Sequence, residues 1–201
     1  MSTAVLVIDM QNGFVHPEGS LPQAGLGQPN TPQVIAENAA LLEEARRAGL
    51  PVIYTRHVYR ADFIDMPERN RRDIPLDPPP LVKGSWDGDV HDDVQPMPGD
   101  NIIDKNRYDA FLYTDLEVVL RALGVKRLLV TGVVTSICVE STVRSGHQRD
   151  FEMFVASDCV SAPETEHEAA LNIMARMFAD VGPWRELLPA VIGEKQMTLT
   201  A

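Results

Sequence analysis

Short runs of Val, Ile and Leu recur along the chain, each bounded by turn-forming residues: AVLVID at 4–9, PVIYTRH at 51–57, RLLVTGVV at 127–134 and EMFVASD at 152–158. Apolar runs of this length, with little polar alternation, predict strands buried on both faces of a sheet. Two weaker runs, NIIDK at 101–105 and AVIG at 190–193, would bring the sheet to about six strands. Between the runs the apolar positions shift to helical spacing. Thr31 with Pro32 marks a helix start, Val34, Ile35, Leu41, Leu42 and Ala45 line one face, and Gly49 and Pro51 end it. Thr114 with Glu117 predicts a capping box ahead of Leu116, Val119, Leu120 and Leu123, with Gly124 as the stop. Further helices are expected from about Ile137 to His147 and over 164–181, where Ala169, Ala170, Ile173, Met174, Met177 and Phe178 would form a core face.

Strand and helix alternate, which implies an α/β fold: a mainly parallel sheet with helices on both faces and a ligand site at the carboxyl ends of the strands. The 201 residues suit one domain spanning 1–201. Segment 58–100 breaks the alternation, with prolines at 67, 75, 78–80, 96 and 98. A connection this long inside a compact domain reads as a lid or an interface element, with a plain surface excursion as the alternative.

Composition narrows the partners. Eighteen basic against 29 acidic residues give a net charge of −11, spread along the chain, which repels phosphate backbones and anionic membranes. Neither nucleic acid nor a membrane is an expected partner. The N-terminal MSTAVLVIDMQ reads as neither a signal peptide nor a membrane span. Two cysteines without metal-knuckle spacing fit a reducing, cytoplasmic setting.

Three residues stand where chemistry could occur. Asp9 ends the first strand, where a carboxylate either serves a site or caps the following turn. Lys105 ends the third strand run, although a lysine there is commonly a solvated charge. Cys138 follows a strand, Gly132 and a polar turn, and precedes a helix, so the helix terminus is expected to favour a thiolate. The alternative is a space-filling thiol, the reading given to Cys159. The five histidines show no metal-ligand pairing, and His57 alone falls near the expected site. Trp86, Tyr108 and Phe111 could wall a pocket or pack in the core.

With Asp9, Lys105 and Cys138 on separate strand ends, the chain resembles the isochorismatase-like hydrolase superfamily. The resemblance runs from VLVIDMQNGF at 5–14 through KNRYDAF at 105–111 to TGVVTSICVESTVR at 131–144. It implies a three-layer α/β/α Rossmann-like fold, a Cys138–Asp9–Lys105 triad and a non-proline cis peptide between Val133 and Val134. That bend would turn the amides of Val134 and Cys138 into an oxyanion hole. Asp9 would take the thiol proton, and the thiolate would attack an amide carbon and pass through a thioester.

Family members that cleave a vinyl ether lack the cysteine, so Cys138 argues against that activity. Nicotinamidases commonly hold a metal near the second strand, but YTRHVYR at 54–60 has no aspartate two residues before His57, so neither metal nor cofactor is expected. LVKGSWDGDVHDDV at 81–94 looks most like the ureidoacrylate amidohydrolase branch, which implies a linear ureido or carbamoyl substrate. Gln11, Phe14, Trp86, Tyr108 and Phe111 are the expected substrate contacts, and family resemblance implies a homodimer or homotetramer. Nicotinamidase-like or maleamate-like activity and a catalytically silent binding subunit are the alternatives.

Overall fold

The computed structural model describes residues 2–197, and the side chains of residues 2–193. Fourteen strands and α-helices follow in chain order among the described residues: β1 (Ser2–Ile8), α1 (Asn12–Val15), α2 (Ser20–Gln23), α3 (Thr31–Arg47), β2 (Val52–His57), α4 (Glu68–Asp73), β3 (Asn101–Lys105), α5 (Leu116–Ala122), β4 (Val125–Val133), α6 (Glu140–His147), β5 (Glu152–Ser161), α7 (Glu164–Met177), β6 (Asp180–Gly182) and α8 (Trp184–Met197). A single π-helical turn, Thr135–Val139, joins β4 to α6. The six strands form one parallel sheet in the order β3-β2-β1-β4-β5-β6. Strand order reverses between β1 and β4. In open parallel sheets that is the point where a crevice opens at the carboxyl edge.

The apolar runs explain the layers. Along β1, Val5 and Val7 point into one core with α3 and α8, while Ala4, Leu6 and Ile8 point into a second core with α5, α6 and α7. Both sets are fully buried, as a doubly covered strand requires. On α3, Val34, Ile35, Leu41, Leu42 and Ala45 pack inward as their spacing predicts. Asn38 shares that face and donates to the Cys159 carbonyl at 2.9 Å.

Three local expectations change. The AVIG run at 190–193 lies on α8 rather than in a strand, and the sixth strand is the short edge segment β6. A brief apolar run that fits a strand fits one turn of a buried helix face equally well. The helix expected over 164–181 ends at Met177, and only Ala170 and Met174 of its apolar positions are buried, because α7 lies near the sheet edge and covers it with one narrow stripe. The capping box at Thr114 is half made. Its hydroxyl accepts from Leu116 N at 3.2 Å, but Glu117 turns to Arg121 and Arg149 instead of reaching back.

Segment 58–100 is ordered by polar contacts to the turn after β1. The Asp87 carboxylate accepts from the Ser20 amide and hydroxyl and from Leu81 N at 2.7–2.8 Å. Asn12 Nδ2 donates to the Trp86 carbonyl at 2.9 Å. No helix among the described residues is long and apolar enough to cross a membrane.

Candidate active site

Four neighbouring strands each end on a polar residue at the same edge of the sheet. Asp9 follows β1, His57 closes β2, Lys105 closes β3, and Cys138 sits in the π-helical turn after β4. Asp9 leaves the strand with φ 52°, a left-handed conformation that aspartate tolerates better than most side chains. This turn is pinned from both sides. Asp9 N meets Thr55 Oγ1 at 3.2 Å, and across the sheet Gly132 pairs with Ile8. A Cβ on Gly132, whose φ is 103°, would lie 1.9 Å from the Ile8 carbonyl oxygen, so only glycine lets β4 pass this close. The Val133–Val134 peptide bond just beyond it is cis.

The side chains converge in a dry interior. Lys105 Nζ donates to Asp9 Oδ2 at 2.6 Å, to His57 Nδ1 at 3.2 Å and to the Arg107 carbonyl at 3.1 Å. Thr55 Oγ1 donates to Asp9 Oδ1 at 2.6 Å. The Lys105 and Asp9 side chains are both fully buried. Burial opposes the charge on Lys105, but the Asp9 carboxylate and the neighbouring Cys138 outweigh it and raise the ammonium above its ordinary range. A buried ion pair is costly to assemble and contributes little net stability, which favours a chemical reason for keeping it.

His57 is neutral. Burial, followed by the charges of Lys105 and Arg107, holds it well below its ordinary value. Because Nδ1 accepts from Lys105, the network assigns the proton to Nε2, which lies 2.7 Å from Tyr59 Oη. Beyond it, Tyr59 interacts with Asn70, and Tyr108 Oη donates to Asn70 Oδ1 at 3.0 Å.

Cys138 contradicts one expectation. Burial pushes its thiol up to about 12, and the pull of Lys105 downward is countered by the Asp9 carboxylate. Dehydration outweighs the helix terminus, so the resting sulfur is a thiol hydrogen-bonded to Asp9, with the Val134 N–H directed at it. The Asp9, His57 and Cys138 donor atoms lie within 4.8 Å of one another, a spacing that could suit a metal. Lys105 already takes a lone pair from both Asp9 and His57, so a cation there would have to displace an ammonium. Chemically, the group pairs an acceptor for the thiol proton with a fixed positive charge.

Cys138 opens onto a cavity of ≈ 300 Å³. Its wall is mostly apolar, with Phe14, Leu21, Met66, Leu81 and Ile137 among the lining residues, and Tyr59, Asn70 and Tyr108 close one side. Of the expected contacts, Phe14 and Tyr108 lie on this wall, and so does Val134. Three others do not. Gln11 is wholly buried with its amide spent on backbone, donating to the His57 and Gly88 carbonyls and accepting from His57 N at 2.6 Å, so it is a strut and not a contact. Trp86 is 48% exposed and edges onto His16 away from the cavity. Phe111 is stacked on Phe151 in the core of the helical layer over α6. Sequence reasoning also passed over Thr55, although a threonine inside VIYTRH, beside Ile8 in register, is the first polar position after a buried apolar run.

This geometry has a family. The sequence matches the isochorismatase domain over residues 3–186. The chain belongs to the isochorismatase family. Among its relatives, the ureidoacrylate amidohydrolase RutB of Methylobacterium radiotolerans is 35% identical over 192 residues, covering 88% of this chain and 74% of its own. A cysteine hydrolase structure from Pseudomonas syringae pv. phaseolicola superposes with a TM-score of 0.83 at 32% identity, covering 92% of this chain and 90% of that one. The N-carbamoylsarcosine amidase structure from Thermoplasma acidophilum gives a TM-score of 0.73 at 27% identity, with 92% and 97% covered.

Proposed function

We propose that this chain is a cysteine-dependent amidohydrolase that cleaves the C–N bond of a small amide or carbamoyl compound. Cys138 is the nucleophile, Asp9 the proton carrier and Lys105 the cation that fixes their geometry. The observation that carries this reading is the convergence of a thiol, a carboxylate and an ammonium from three strand ends at one end of an apolar cavity. Relatives named for C–N hydrolysis of ureido and carbamoyl compounds support it.

Because the thiol holds its proton to about 12, attack requires Asp9 to accept that proton as the S–C bond forms. The carbonyl oxygen gains negative charge and is held by the N–H groups of Val134 and Cys138, each worth about 3–4 kcal/mol at such a site. Asp9 then returns the proton to the departing nitrogen, the C–N bond breaks, and the acyl group stays on Sγ as a thioester. A water deprotonated by Asp9 adds to that carbonyl, and the thiol leaves with its proton restored. Throughout, Lys105 offsets the charge that moves between Asp9 and sulfur. Without it the buried site would have to accommodate an unpaired anion.

Rapid quenching during turnover, followed by peptide mass analysis, tests the covalent step. The Cys138 peptide is expected to carry the acyl mass, and the adduct should disappear in Cys138→Ser. Steady release of product with no adduct on Cys138 at any time point, and with turnover surviving in Cys138→Ser, would overturn the mechanism.

A further inference from the structure

The cavity wall carries a charge signature that bears on what can enter. Among the described residues, none of those lining it is a lysine or an arginine. Lys105 is committed behind the wall to Asp9 and His57. Arg107 lies off the wall, with its Nη1 donating to the Asp65 and Asn106 carbonyls at 2.9 and 2.7 Å. The one carboxylate on the wall is Glu166, an exposed residue that accepts from Ser136 Oγ at 2.9 Å. His57 faces the cavity but is held neutral. The rest of the surface is hydrocarbon, aromatic ring or uncharged polar group.

We infer that the cavity selects an uncharged amide with an apolar body and excludes substrates that carry a carboxylate. An anion entering here would leave water for a wall that offers no cation, with Glu166 repelling it at the rim. An apolar chain or ring instead gains contact with Phe14, Leu21, Leu26, Met66, Ile74 and Leu81. The ≈ 300 Å³ volume lies at the small end of the range for ligand pockets, which suits a small amide. Ureidoacrylate is a carboxylate, so this specificity departs from the one named for the RutB relatives.

The inference rests on the proposed hydrolysis for its substrates but can be read separately from it. Two pairs differ only by exchange of a carboxylate for a methyl group: N-carbamoyl-β-alanine against propylurea, and succinamate against butyramide. Ammonia release should favour the uncharged member of each pair by at least about 100-fold in kcat/KM. Equal rates, or preference for the anion, would overturn the selection.

A second measurement needs no turnover. Alkylation of Cys138 by iodoacetamide and iodoacetate, each relative to a free small thiol, should disfavour iodoacetate by at least about 30-fold, the discrimination expected of a site with no partner for a buried charge. A ratio matching the free thiol would overturn charge exclusion whether or not any amide was cleaved. Charge-selective alkylation with no amide turned over would instead break the hydrolase reading and leave the selection standing. Leu26→Arg places a cation on the wall at a half-exposed position and should raise the anionic member relative to its partner by about 10-fold. No change in that ratio would count against the cavity as the selecting element.

Discussion

The two cysteines occupy opposite layers of the sheet and share burial and a neighbouring carboxylate, but little else. Cys138 lies in the layer with α5, α6 and α7, Cys159 in the layer with α3 and α8, and both are almost wholly inaccessible. Burial raises both thiols. A carboxylate pushes each further up, Asp9 at Cys138 and Asp158 with Glu37 at Cys159, but the opposing cation differs in weight: at Cys138 Lys105 ranks next after burial, whereas at Cys159 Arg185 is the weakest influence. Cys138 touches a cavity, while Cys159 sits within β5 among packed side chains. The comparison shows that dehydration alone does not separate a reactive thiol from an inert one. A carboxylate beside the thiol does not either, since both have one; a close, buried cation and an open wall do.

The largest test of that contrast is replacement. Cys138→Ala is expected to lower kcat by at least about 10⁴-fold, the scale of losing a covalent nucleophile, and Cys159→Ala by less than about 3-fold. Comparable losses in both, with folding intact by circular dichroism, would erase the distinction. The second removes the cation. Lys105→Met leaves the Asp9 carboxylate buried without its partner and should cost about 3–5 kcal/mol in urea unfolding, because breaking a buried pair strands the remaining charge. A variant as stable as the wild type would mean that Asp9 takes up a proton once Lys105 is gone.

The smallest effect is in alkaline stability. An ordinary thiol titrates near 9, and folded Cys138 holds its proton to about 12. Between those values the unfolded chain binds fewer protons than the folded one, so stability falls as pH rises, by up to about 1.4 kcal/mol per pH unit for each thiol. Urea midpoints at pH 8 and pH 10 should show this fall, and Cys138→Ala and Cys159→Ala should each remove one part of it. An unchanged slope in Cys138→Ala would mean that its thiol is already ionised in the folded protein.

Much of the sheet was legible because its central strands are covered on both faces. An uninterrupted run such as AVLVID at 4–9 has few alternatives, and its closing aspartate marks the edge where a site forms. Asp9, Lys105 and Cys138 were legible on the same ground, each standing where an apolar run gives way to polarity. The thiol's ionisation was not. It depends on how much water the folded chain removes and on which charges arrive from distant segments, neither of which spacing encodes. The wall was half legible. Phe14 and Tyr108 adjoin the motifs that carry Asp9 and Lys105, but Met66, Asn70, Ile74 and Leu81 come from segment 58–100, which has no periodicity to orient them. Gln11 and Phe111 show the opposite failure, since proximity in sequence to a site residue does not decide which way a side chain points.

The order of the strands has a consequence for how the protein comes into being. Asp9, His57, Lys105 and Cys138 arrive from β1, β2, β3 and the turn after β4, and β1 is seated between β2 and β4. A chain emerging from synthesis has Asp9 exposed long before the segment bearing Cys138 exists, and the two meet only when β4 closes against β1. Contacts of such long sequence separation form late and slowly. A nascent or truncated chain therefore carries its thiol and its carboxylate as strangers, and the cluster exists only once the middle of the sheet is complete.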